Sequence, residues 1–154
     1  EGSAQQIIRQ FRYGGLRALA PIIVGEMADL LHEWAPPFDA VAPIPLHPRR
    51  LRERGFDQAE LLARGLAAEM DVPFVPALRR IRATPPQARS LSRDQRYANV
   101  ADAFLCAAPD TIDGRRFMLV DDVTTAGATL AAAARALRES GSGAVWAITA
   151  AHEV

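Results

Sequence analysis

Lysine is missing altogether: every one of the 18 basic residues is arginine. An arginine- and alanine-favouring genome accounts for that bias, but the chemical consequence holds whatever its origin. A phosphate-binding lysine, a Schiff base and a lysine general base are all excluded. Cysteine occurs once, at Cys106, so the sequence offers neither an intrachain disulfide nor a multi-cysteine zinc site, and a cytoplasmic protein is the expectation. Aromatic residues make up 6% and are not interleaved with the arginines as a base-stacking surface requires. No apolar run reaches membrane-spanning length; the longest, residues 16–31, is interrupted by Arg17, Pro21, Glu26 and Asp29. No secretory signal pattern is expected, and no membrane contact. Net charge is zero, which argues against bulk adhesion to nucleic acid or lipid surfaces.

What is present is ordinary globular material with one uneven feature. The 154 residues fit a single domain spanning residues 1–154, with 49% hydrophobic and 23% charged residues. Between Arg49 and Arg96, however, eleven arginines face six acids, a local excess of five positive charges balanced elsewhere. Leu16, Leu19, Ile23, Met27, Leu30 and Trp34 recur at helical steps, predicting a core helix with Pro21 in its first turn. Residues 39–44 (DAVAPI) read as a buried strand, followed by a polar, arginine-rich loop. Asp57 with Glu60 three residues on resembles a capping box and opens a helix through Leu62, Leu66 and Met70. Residues 73–78 read as another strand and residues 84–99 as a long loop, of the kind that is functional or mobile in a compact domain. Residues 117–120 (FMLV) form a continuous apolar strand, a helix carries Leu130, Ala134 and Leu137, and residues 144–150 read as a last strand. Strands apolar on both faces and alternating with helices predict an α/β domain with a mainly parallel sheet flanked by helices.

The segment FMLVDDVTTAGATL, residues 117–130, carries the chemistry. A buried strand delivers Asp121 and Asp122 to its C-terminal end, where α/β folds bind ligands. Val123, Thr124, Thr125, Ala126, Gly127, Ala128 and Thr129 follow as a small-residue turn into a helix. There the hydroxyls and the free N–H groups of the helix start can cradle a phosphate. Two carboxylates would repel that phosphate on contact but can accept hydrogen bonds from the adjacent hydroxyls of a sugar. Acids for a diol beside a cradle for a monophosphate describe a ribose 5-phosphate. The competing reading is a strand–turn–helix in which Asp122 only caps the helix. Other phosphate motifs fail: there is no G-x-x-x-x-G-K, and Gly141-Ser142-Gly143 lies between a helix and a strand, so it is a turn.

That segment resembles the phosphoribosyl diphosphate (PRPP) loop of type I phosphoribosyltransferases, with Ala126 where the family often has threonine. With residues 40–67 (AVAPIPLHPRRLRERGFDQAELLARGLA), Phe11-Arg12-Tyr13-Gly14-Gly15 and the series Gln87, Leu91, Arg96, Asn99 and Phe104, nearly the whole chain is similar to the ComF family of competence proteins. Asp57 stands where that family usually has asparagine. Family members often begin with a cysteine-rich metal-binding segment; without it, the expectation is a trimmed chain or a relative that lacks the segment. The resemblance implies a type I phosphoribosyltransferase-like fold, PRPP or another ribose 5-phosphate nucleotide as ligand, Mg2+ as cofactor, and a link to DNA uptake through competence-machinery proteins or single-stranded DNA.

It also implies roles for the arginines. Arg49, Arg50, Arg52 and Arg54 stand where the family binds pyrophosphate, with Arg54 beside Gly55 the best placed; guanidinium forks suit phosphate oxygens. The other reading is a solvated face. Arg89, Arg93 and Arg96 fall in the long loop, where the resemblance implies closure over the ligand, against a merely solvated loop. Asp121 and Asp122 would act in catalysis by holding the ribose, with no metal ligand assigned. Whether the domain transfers ribosyl groups or only senses PRPP stays open. His47 and His32 read as structural, Trp34 and Trp146 as packing, and His152 carries no motif.

Overall fold

The apolar segment at 117–120 forms the middle of the sheet and runs further than its apolar letters. The computed structural model describes residues 2–13, 17–83 and 92–152. In chain order the elements are α1 (Gly2–Tyr13), α2 (Ala20–Trp34), β1 (Ala40–Pro43), α3 (Pro48–Arg54), α4 (Gln58–Glu69), β2 (Leu78–Arg80), α5 (Arg93–Val100), β3 (Phe104–Cys106), β4 (Phe117–Thr124), α6 (Ala128–Glu139) and β5 (Val145–His152). β1, β4 and β5 form a parallel sheet in the order β1-β4-β5, and β2 pairs antiparallel with β3 in a separate ribbon. The expected mainly parallel α/β architecture is what the chain adopts.

Side chains alternate across the strands, and the two faces collect two cores. Val41, Met118, Val120 and Ile148 meet α2 and α4 through Ile23, Val24, Met27, Leu62 and Leu66. Ala40, Ala42, Phe117 and Leu119 meet α6 and the β2–β3 ribbon through Ala133, Leu137, Leu78 and Phe104. Burial on both faces is why these strands read as unbroken apolar runs. α2 and α4 approach closely at Gly65, where a Cβ would stand 2.8 Å from Val24 Cγ2.

Several expectations shift. Residues 93–100, placed in a loop by sequence, are helix α5: Ser92 Oγ accepts from Gln95 N–H and Gln95 Oε1 accepts from Ser92 N–H. Its only buried residue is Val100, so it has no apolar stripe to announce it, although the S-x-x-Q cap is in the letters. The arginine-rich loop after β1 is helix α3, with Pro48 in its first turn, His47 capping it and Gly55 closing it at φ 80°. Of residues 73–78, Phe74 makes one bridge to Val41 and Leu78 opens β2; Pro73 and Pro76 deny the ladder their donors. Leu30 and Trp34, expected on the core stripe, are 50% and 74% exposed. Arg89 and the rest of residues 84–91 lie outside the described residues. Among those described, no helix is long and apolar enough to cross a membrane.

The far end of the sheet is pinned by charge. The Arg116 guanidinium donates to both oxygens of Asp39, at 2.9 and 2.8 Å, and the Arg116 backbone N–H donates to Oδ2. Asp39 N–H in turn donates to the Arg116 carbonyl, fixing the register at which β1 enters beside β4. The Arg116 hydrogen bonds hold the Asp39 carboxyl well below its ordinary range. A depressed carboxyl pKa contributes stability above the unfolded value, and loses it as pH falls toward the folded one. Asp39→Asn should therefore lower the melting temperature at pH 7, with the gap to wild type closing below about pH 4. Thermal melts across that range check it; equal melting temperatures at pH 7 would show that the pair contributes nothing.

Candidate functional site

β4 outruns β1. Its pairing with β1 ends at Pro43 opposite Val120, whereas its pairing with β5 continues through Asp121 opposite Thr149 to Thr124 opposite His152. Beyond Ile44, whose N–H donates to the Val120 carbonyl, the chain turns away into α3. The end of β4 is therefore left open on its β1 side, at the C-terminal ends of the parallel strands, where ligands bind in such sheets.

Asp121 and Asp122 stand at that opening. Asp122 is 9% exposed. Asp122 N–H donates to Asp121 Oδ1 and Val123 N–H donates to Asp122 Oδ1, each at 2.8 Å. Each carboxylate is thus oriented by the next peptide. Asp121 as a residue is half-exposed, yet its carboxyl is enclosed: burial first, then the neighbouring Asp122 charge, push its pKa well above the ordinary value.

The turn into α6 is shorter than the sequence implied. Val123 and Thr124 are strand residues, and only residues 125–127 separate β4 from α6. Gly127, at φ 74°, is the N-cap and brings no side chain to the first turn. That conformation suits glycine. It also removes the helix-cap reading of Asp122, whose bonded oxygen serves Val123. The start of α6 offers its N–H groups to an anion, with half-buried Thr124 and Thr129, exposed Thr125, half-buried Ala126 and buried Ala128 around it. Two side chains from elsewhere touch this turn. Tyr97 Oη donates to the Ala126 carbonyl at 3.3 Å, and His152 Nε2 lies 2.7 Å from the Thr125 carbonyl. Neither was signalled by a motif; His152 is brought there by the β5 register.

The arginines of α3 do not act as one cluster. Arg49 pairs with Glu53 on the exposed face, and Arg52 is exposed. Arg54 reaches the buried Gln58 at 3.4 Å. Arg50 is half-buried and close enough to Arg80 for its charge to depress the Arg80 pKa, after burial, while Asp121 opposes the shift. Arg80, half-buried in β2 with its guanidinium 5.3 Å from the Phe104 ring, is a cation between α3 and the aspartates that sequence reasoning missed. Only the pairing of β2 with β3 puts it there. Asp57 ties the region together: it caps α4 through Glu60 N–H and also accepts from Leu46 N–H. Burial raises its carboxyl pKa. Arg93 and Arg96 lie on α5 rather than in a loop, with Arg93 5.7 Å from the Tyr97 ring.

Comparison with known proteins fits this geometry. Residues 56–152 match the phosphoribosyl transferase domain family. Competence protein F of Haemophilus influenzae is 37% identical over 105 residues, covering 67% of this chain and 45% of that protein. The DNA utilization protein YhgH of Escherichia coli K12 is 37% identical over 108 residues, 70% of this chain and 46% of the relative. Competence protein ComFC of Bacillus subtilis is 34% identical, over 68% of this chain and 40% of the relative. The chain thus spans less than half the length of these relatives. Among solved structures, the glutamine PRPP amidotransferase of B. subtilis superposes with a TM-score of 0.57 at 23% identity, over 85% of this chain and 26% of the other. An adenine phosphoribosyltransferase from Thermoanaerobacter pseudethanolicus gives 0.56 at 17%, over 88% and 81%. These likenesses show the fold.

A carboxyl with a raised folded pKa contributes stability below its unfolded value, and that contribution is lost as pH rises through the folded one. Asp121→Asn keeps the acceptor for Asp122 N–H and removes the charge. Without ligand it should melt above the wild type at pH 7, by about 2–4 °C per kcal/mol, and level with it near pH 3–4, below the unfolded carboxyl value. A lower melting temperature at pH 7 would mean that the charge holds the fold rather than awaiting a ligand.

Proposed function

The chain belongs to the phosphoribosyl transferase domain family, with competence proteins of the ComF type among its relatives, and on that premise we propose that it binds PRPP and transfers the ribosyl group with release of pyrophosphate. The observation that carries the reading is the paired aspartates near the end of β4, with only residues 125–127 between that strand and a helix start capped by glycine alone. Asp121 and Asp122 accept hydrogen bonds from the ribose hydroxyls. The N–H groups and hydroxyls of residues 125–129 hold the 5-phosphate, with the extended Val123 and Thr124 leading into the cradle. Arg50 and Arg54 of α3, joined by Arg80, face the pyrophosphate, with Arg49 and Arg52 as outer charges.

Cleavage of the C1–oxygen bond builds positive charge on the ribose and negative charge on the departing pyrophosphate. Positioning and charge stabilisation therefore supply the rate. The enclosed aspartates lie on the ribose side and the arginines on the leaving-group side, matching those charges. Mg2+ would neutralise the diphosphate when bound. Among the described residues no cluster of three or more His, Cys, Asp or Glu could hold a metal ion, so Asp121 and Asp122 fit it only as auxiliaries to the ligand's own oxygens. Arg93 and Arg96 on α5, and Arg89 outside the described residues, are the candidates for closing over the ligand. A role in DNA uptake is supported by what the relatives are called, a competence protein and a DNA utilization protein; a cytoplasmic location and contacts with competence proteins or single-stranded DNA belong to the same proposal.

The arginine roles separate by ligand. Titration calorimetry in magnesium should detect binding of both ribose 5-phosphate and inorganic pyrophosphate. Arg50→Ala, Arg54→Ala and Arg80→Ala should weaken pyrophosphate by about 10- to 100-fold, as expected for charge-assisted contacts, and change ribose 5-phosphate less than about threefold. Equal losses for both ligands would reduce these arginines to general attraction, and no loss in any variant would remove them from the site. No binding of either ligand to the wild type would contradict the reading.

A further inference from the structure

The turn at residues 125–127 is held from outside by two side chains of two different elements. Its carbonyls at Thr125 and Ala126 are consecutive, and each accepts from one of them: Thr125 from His152 at the end of β5, Ala126 from Tyr97 on α5. A carbonyl only accepts, so His152 Nε2 carries the hydrogen in that contact. The position of His152 is set by the ladder, since its backbone lies opposite Thr124 in the β4–β5 register.

A trans peptide holds its carbonyl oxygen and its N–H in one plane, pointing in opposite directions across the C–N bond. Anchoring the Thr125 carbonyl on His152 therefore aims the Ala126 N–H away from His152. Anchoring the Ala126 carbonyl on Tyr97 aims the Gly127 N–H away from Tyr97. Gly127 has the positive φ needed for the chain to turn at that point and enter α6. Among the described residues, no hydrogen bond occupies the N–H groups of Ala126 or Gly127. Two adjacent donors are thus fixed in direction and left open.

Resting on the proposed function, we infer that Tyr97 and His152 are positioning residues for the 5-phosphate. They set the peptide planes of the turn before the ligand arrives, so that the Ala126 and Gly127 N–H groups converge on the anion without reorganisation. Preorganised donors bind with less ordering cost than donors that must be turned. Neither residue needs to touch the ligand. Their effect is confined to ligands that carry the 5-phosphate, because pyrophosphate lies on the α3 side.

Titration of Tyr97→Phe, His152→Leu and His152→Gln with ribose 5-phosphate and with inorganic pyrophosphate tests this. Tyr97→Phe and His152→Leu should each weaken ribose 5-phosphate by about fivefold, the scale of one neutral hydrogen bond. Pyrophosphate affinity and the unliganded melting temperature should stay at wild-type values. His152→Gln, which restores an N–H donor, should recover most of the loss. If the wild type binds ribose 5-phosphate and both Tyr97→Phe and His152→Leu bind it equally well, the positioning role is overturned while the functional reading stands. Equal weakening of pyrophosphate, or a fall in melting temperature accounting for the loss, also overturns it in favour of a structural role. A wild type that fails to bind ribose 5-phosphate removes the functional reading and this inference with it.

Discussion

The unequal length of two neighbouring strands shapes the site. β4 is held by β5 along its whole length but is abandoned by β1 after Val120. Asp121 and Asp122 are consequently held by the ladder to β5 at the point where β1 has already turned away. Had β5 stopped as early as β1, Thr124 and the turn after it would have no rigid base, and His152 would not stand beside Thr125. The Asp39–Arg116 bonds at the opposite end matter for the same reason. They set where β1 begins relative to β4, and so where it ends.

Charge is distributed to match this opening. The Asp121 carboxyl is enclosed and pushed toward protonation by burial and by Asp122, an arrangement that costs stability at neutral pH and is relieved by hydroxyl donors or a cation. Asp57, half-buried, accepts from the N–H groups of Leu46 and Glu60 and so fixes the connector that carries α3. Burial first, then the nearby Arg50 charge, depress the Arg80 pKa, with Asp121 as the opposing charge.

Legibility followed from where the information lies. The strand at 117–120, the helix opened by Asp57 and the turn at Gly127 are written in local letters: apolar runs buried on both faces, a capping carboxylate, a glycine before a small-residue helix. The paired aspartates and the turn followed from the same letters. α5 lacks a periodic signal because it buries only Val100, so its cap is the signal in the letters. α3 reads as a loop in the sequence because its seven residues carry charge instead of an apolar stripe, and its signals are Pro48 and Gly55 at its two ends. Arg80, Tyr97 and His152 could not be read from sequence at all. Each reaches the site through a pairing or packing between distant segments, and arginine, tyrosine and histidine occur elsewhere in the chain without any such role.

The central claim is that one short segment, residues 121–129, holds a ribose 5-phosphate. Amide-resolved NMR of the isotope-labelled chain during titration with ribose 5-phosphate in magnesium tests it most directly. The account predicts saturable shifts concentrated in the amides of Asp121 through Thr129, those of Ala126 and Gly127 among the largest, with the α3 amides nearly unmoved until pyrophosphate is added. Shifts confined to α3, or spread over arginine-bearing surfaces without saturation, would contradict it.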